Sequence, residues 1–207
     1  MHLENPKRSI CLQCLRATRA CICACVQRVD SQTEILILQH PAEVNHIKGS
    51  ARLLHLCLSH SSILVGEQFA QDQLQEILTK DHKTNVLLYP DSAVIGLPSA
   101  QRYLPDPHVN VRLILLDASW RHSKQMLLQN PILQTLPRYA LRDVPASRYQ
   151  IRHAYADDQL SSLEACAYAL MELESSGDKF MPLLRAFDSF NCMQIEFGVN
   201  KLLRIKK

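Results

Sequence analysis

Val111-Arg112-Leu113-Ile114-Leu115-Leu116-Asp117-Ala118-Ser119-Trp120 decides the class of fold. Its apolar run does not alternate with polar residues, which is the pattern of a strand covered on both faces. The run stops at a carboxylate, and helical spacing then carries from Ser119 to Gln129, where Asn130-Pro131 ends it. A strand leading straight into a helix is half of a βαβ unit.

The same grammar repeats outward. Glu34–Gln39 is a short apolar strand closed by His40-Pro41, Ser62–Val65 is stopped by Gly66, and Val86–Tyr89 is stopped by Pro90. Tyr139–Asp143 offers a fifth strand. Helical stripes cover Ile47–Leu58, Asp72–Leu78, Ser161–Leu173 and the stretch from Pro182 to Leu203. The expected fold is α/β, a mostly parallel sheet with helices on both faces. Ligands of such sheets sit outside the carboxyl ends of the strands, here His40-Pro41, Tyr89-Pro90, Asp117 and Arg142-Asp143. The Pro-rich connection from Pro90 to Pro107 is too long for an ordinary turn and is expected to be functional.

The chain has 207 residues, 47% hydrophobic and 21% charged, with a net charge of +3. That suits one main domain with a buried core, and the mild basicity permits an RNA partner without requiring one. The five glycines are never closer than 17 positions. Glycine-clustered phosphate loops are therefore excluded, and with them the dinucleotide dehydrogenases, the P-loop kinases and methyltransferases with a Gly-rich first turn. No apolar stretch is long enough to span a membrane. The polar start, Met1-His2-Leu3-Glu4, lacks the apolar core of a signal peptide. A cytoplasmic site is expected.

Five of the eight cysteines crowd between Cys11 and Cys25. In a reducing compartment such spacing points to a zinc site of four thiolates. Cys11 and Cys14 form one pair, and Cys21 with Cys23 is chosen as the second, leaving Cys25 as the spare. This divides the chain into a zinc-binding segment, 1–30, and a catalytic domain, 31–207. Lys7, Arg8, Arg16, Arg19 and Arg28 around the cluster suit phosphate contacts or a solvated surface. Cys57, Cys166 and Cys192 fall in apolar helical patterns and are expected in the core.

Asp117 at a strand end can act on a ligand, or either it or Ser119 can cap the following helix. Trp120, the sole tryptophan, fits the core better than a stacking platform. Ser147-Arg148-Tyr149-Gln150-Ile151-Arg152 could clamp a carboxylate or phosphate, or lie as an exposed polar loop. Ser161 and Glu164 fit a capping box.

Taken together, the C-x2-C-x6-C-x-C cluster, Asp117-Ala118-Ser119-Trp120 and the Ser147-Arg148-Tyr149…Leu160-Ser161-Ser162-Leu163-Glu164-Ala165 segment resemble the DTW-domain family of tRNA-uridine aminocarboxypropyltransferases. His40-Pro41-Ala42-Glu43 and Leu88-Tyr89-Pro90 resemble family segments too. The likeness runs from about Cys11 to the C-terminal helices. One departure is Ser119, where the family usually has threonine; the hydroxyl is kept.

The resemblance implies a SPOUT-like knotted fold that binds S-adenosylmethionine, tRNA as the partner, and transfer of the 3-amino-3-carboxypropyl group to uridine N3. It implies catalytic roles for Asp117, Ser119 and Trp120, with Asp117 as the base. Leu88, Tyr89, Pro90, Leu141, Arg142, Ser161 and Ser162 would line the cofactor site, and Arg148, Tyr149 and Arg152 the substrate site. A knotted RNA methyltransferase and a non-catalytic zinc-bearing RNA-binding protein are the alternatives.

Overall fold

The computed structural model describes residues 9–90, 100–106, 108–142, 145, 147, 148 and 160–205, the last seven as helix backbone alone. Five strands form one sheet: β1 (Glu34–Gln39), β2 (Ser61–Val65), β3 (Thr84–Leu88), β4 (Val111–Asp117) and β5 (Arg138–Tyr139). Their order is β2-β1-β4-β3-β5, and every pairing is parallel. The helices are α1 (Pro41–Val44), α2 (Ala51–Cys57), α3 (Gln71–Thr79), α4 (Trp120–Gln129), α5 (Pro131–Gln134), α6 (Ser162–Leu173) and α7 (Gly177–Ile205).

Side chains alternate across a strand, so the apolar runs of β1 and β4 feed two cores. Ile35, Ile37, Leu113 and Leu115 pack with α2, α6 and α7, through residues such as Leu54, Cys166, Phe187 and Phe190. Leu36, Leu38, Ile114 and Leu87 pack with α3, α4 and α5, through Leu74, Met126 and Leu133. Non-alternating strands are thus explained: both faces are covered, as expected. Ile22, Cys25 and Val29 join the first core, so packing continues from the cysteine segment into the sheet.

Three sequence expectations need correction. The helix expected from Ile47 begins at Ala51, because the Arg16 guanidinium takes the carbonyls of Ile47 (2.8 Å) and Gly49 (2.9 Å). The fifth strand is Arg138–Tyr139 rather than Tyr139–Asp143. Its partner β3 pairs no further than Leu88↔Tyr139, so Leu141 and Arg142 have no ladder to join; Asp143 lies outside the described residues. Cys192 is exposed, on the outer side of α7, while Cys57 and Cys166 are buried as expected.

Arg112 interrupts the apolar run of β4 and is almost fully buried. Its guanidinium donates to Glu34 (2.8 and 3.2 Å), to the carbonyls of Ile77 and Lys80, and to Asn85 Oδ1. Lys83 joins Glu34 at 2.5 Å. Burial pushes the Glu34 carboxyl up, but hydrogen bonds and charge from Arg112 and Lys83 outweigh it and hold the group below its ordinary value. The stability it contributes is therefore complete above the ordinary glutamate range and is lost as pH falls through the lowered value. Glu34→Ala should cost about 3–5 kcal/mol at neutral pH by stranding a buried cation. Urea melts of variant and wild type should converge as the solution is acidified; a constant gap would assign the cost to packing.

Candidate active site and metal centre

The carboxyl ends of β1 and β4 lie side by side, with Gln39 in register with Asp117. Asp117 is buried. Its Oδ2 accepts from Gln39 Nε2 at 2.8 Å and its Oδ1 from Ser162 Oγ at 2.6 Å. Ser162 opens α6, so one hydrogen bond ties the first turn of a late helix to the end of the central strand.

Ser119, not Asp117, is the N-cap of α4: its Oγ accepts from the His122 backbone N–H at 3.3 Å. That separates the two roles which the sequence left open between these residues. Trp120 follows at the start of α4 and is 47% exposed, so it is not a core residue. It meets the buried Tyr89 ring edge-on, centroids 6.1 Å apart. The Tyr89 hydroxyl pairs with Ser123 Oγ at 3.2 Å, and burial raises its pKa, so the phenol stays neutral.

A histidine pair lies beside this group. The His40 and His122 rings stack 4.1 Å apart, nearly parallel at 8°. His40 Nδ1 accepts from the Ala42 N–H, which places its proton on Nε2, 3.7 Å from Glu67. Asn130 fixes Glu67 by donating to its carbonyl at 2.9 Å. His40-Pro41 was marked as a strand end, but neither the stack nor the Gln39 contact has a sequence signature: both depend on register and on a crossover.

The remaining candidates divide. Leu88 and Pro90 are half-buried at the end of β3; Leu141 is half-buried and Arg142 exposed beyond β5. Ser161 caps α6 in a capping box with the fully buried Glu164, which also accepts from Ser147 Oγ and the Arg148 N–H. The Arg148 guanidinium pairs with Asp188 of α7 at 2.7 Å, on the surface. Tyr149 and Arg152 lie outside the described residues.

The Sγ atoms of Cys11, Cys14, Cys21 and Cys23 all lie within 4.8 Å of one another. Cys11 and Cys23 are 3.6 Å apart and Cys14 and Cys21 3.7 Å. Four thiolates at ~2.3 Å from a tetrahedral metal would be ~3.8 Å apart, so the donor set fits one ion. Backbone N–H groups of Cys14 and Gln13 draw the Cys11 thiol down to about 6, whereas desolvation and neighbouring thiols push Cys23 up to about 12. Cys25 stands outside the group and is buried in the core. Arg19 and Arg28 are exposed nearby, while Arg16 is engaged with Ile47, Gly49 and the Phe190 ring.

A model of the DTW domain matches residues 8–195. The chain belongs to the DTW family. Its relatives include tRNA-uridine aminocarboxypropyltransferase 2 of Drosophila melanogaster, 31% identical over 202 residues, which are 93% of this chain and 77% of that protein. The proteins of the same name from Mus musculus and Macaca fascicularis are 28% and 27% identical, over 97% of this chain and 68% of their own length. No solved structure matches this DTW protein. Among the described residues, no helix is long and apolar enough to cross a membrane.

Proposed function

We propose that this DTW protein transfers the 3-amino-3-carboxypropyl group of S-adenosylmethionine to N3 of a uridine in tRNA. The observation that carries the reading is Asp117, a buried carboxylate held from both sides at the central strand end of a chain in this family. The N3–carbon bond forms as the sulfur–γ-carbon bond breaks, the N3 proton goes to a base, and methylthioadenosine leaves. Uridine N3 is mostly protonated at neutral pH, so a positioned base is needed. Asp117 is that base, fixed in place by Gln39 and Ser162.

Ser119 shapes the entry to α4, and Trp120 presents a half-open indole for a base to stack on. Leu88, Tyr89, Pro90, Leu141, Arg142, Ser161 and Ser162 are assigned to the cofactor, and Arg148, Tyr149 and Arg152 to the RNA substrate. Cys11, Cys14, Cys21 and Cys23 hold zinc, a structural ion for the 1–30 segment, whose exposed Arg19 and Arg28 face tRNA phosphates. Thiolate ligation of this kind suits a reducing, cytoplasmic setting. The knotted SPOUT arrangement belongs to this reading, supported by β4 lying between β1 and the earlier β3.

Label in the cofactor tests the transfer. With label in the carboxyl carbon, tRNA should become labelled and methylthioadenosine should accumulate. With label in the methyl group, tRNA should stay unlabelled. Methyl label in tRNA would make the protein a methyltransferase.

A further inference from the structure

Two arginines are buried in the sheet to the same degree, about 1% exposed, and they are treated differently. Arg112 reaches a carboxylate, carbonyls and an amide. Arg138, on β5, has no hydrogen-bond partner for Nε, Nη1 or Nη2 among the described residues. A guanidinium cannot escape by losing its proton. A buried cation with neither counter-charge nor acceptors is strongly disfavoured, and such a group calls for a partner beyond the described residues.

Its position says what kind. Arg138 is in register with Leu87, next to the carboxyl end of β3, where a parallel sheet receives its ligands. The guanidinium lies 6.0 Å from the centre of the Tyr89 ring, which also meets Trp120 and Ser123. A phosphate fixed in an RNA backbone cannot follow a polymer into so buried a site. A carboxylate on a short flexible arm can, and a guanidinium fork matches it with two parallel hydrogen bonds.

We propose that Arg138 seats the carboxylate of the aminocarboxypropyl arm of the S-adenosyl donor. The inference rests on the transferase reading and assigns it a positioning residue absent from the sequence-derived candidates. Arg148, one of the two arginines the sequence offers for such a clamp, already has Asp188. Holding the arm by its far end would turn the γ-carbon, rather than the less hindered methyl, toward the incoming nitrogen.

Calorimetric titration of the full chain with S-adenosylmethionine and with its decarboxylated analogue tests this. Wild type should prefer the carboxylated compound by about 10- to 100-fold, the scale of one charged hydrogen-bonded contact. Arg138→Met should bind both alike, near the wild-type affinity for the analogue, and should melt no lower than wild type, since it loses an unpaired buried charge. No preference in wild type, or a preference undiminished in Arg138→Met, overturns the inference. Should that variant not fold, Arg138→Lys decides: losing the bidentate fork should remove most of the preference, and an intact preference overturns the seat. If tRNA takes up carboxyl label while the preference survives substitution, this inference alone fails. If wild type binds neither compound, the transferase reading falls with it.

Discussion

Asp117→Asn is expected to leave the fold standing and to lower transfer by about 10²- to 10⁴-fold, the range of a positioned general base. The carboxylate accepts from Gln39 and from Ser162. Asparagine can keep both. Its oxygen accepts from Gln39 Nε2, and its amide donates to Ser162 Oγ, which accepts as readily as it donates. The tie between β4 and α6 therefore survives, and thermal stability should stay close to wild type. On the proposed mechanism, what disappears is the capacity to take a proton from uridine N3. Single-turnover transfer, with S-adenosylmethionine affinity measured alongside, separates the outcomes. Full turnover would reduce Asp117 to a strut between strand and helix; lost cofactor affinity with lost stability would do the same. Slow transfer with intact binding is the signature of a base.

Much of this site was legible because its chemistry sits where local pattern is strongest. A strand covered on both faces must be apolar throughout, so Val111–Leu116 announces itself, and a carboxylate at its end stands out. Four of five clustered cysteines were assigned by spacing, and Cys25 proves to be a core residue. The failures share a cause: they depend on what the chain meets in three dimensions. Trp120 is hydrophobic, yet it opens α4 on the rim and is half exposed. Cys192 shares the spacing of a helix whose inner face is filled by Phe187 and Phe190. Arg138 reads as an ordinary polar residue after a proline; only its burial without a partner marks it. The pairing of Arg148 with Asp188, forty residues later, has no sequence signature either.

Replacing Cys11 and Cys14 together by serine should release about one zinc ion per chain, as a single four-thiolate shell implies, and should unfold the segment around it while the sheet remains. The Cys11–Cys21 loop itself buries little apolar surface besides Cys14. Between Cys11 and Cys21 its backbone closes a tight loop from Cys11 to Arg16 and a short 3-10 turn at Thr18–Ala20, with Leu15 in the left-handed region at φ 58°, and Leu12 and Leu15 are exposed. Structural zinc supplies about 10–16 kcal/mol of apparent binding free energy to small fingers, most of it spent on folding them. The sheet draws its stability from other residues, Ile35, Ile37, Leu113 and Leu115 among them. The two parts meet through Ile22, Cys25 and Arg16, whose guanidinium braces the turn before α2. Hydrogen exchange should therefore rise sharply over residues 9–25, rise partly at 47–50, and stay slow in β1 and β4. Cys25→Ser is the control: it should retain the metal and lose only packing. A double variant that keeps its zinc, or a metal-free native protein with unchanged protection over 9–25, would show that the thiols are not a metal centre and that the loop is held by packing.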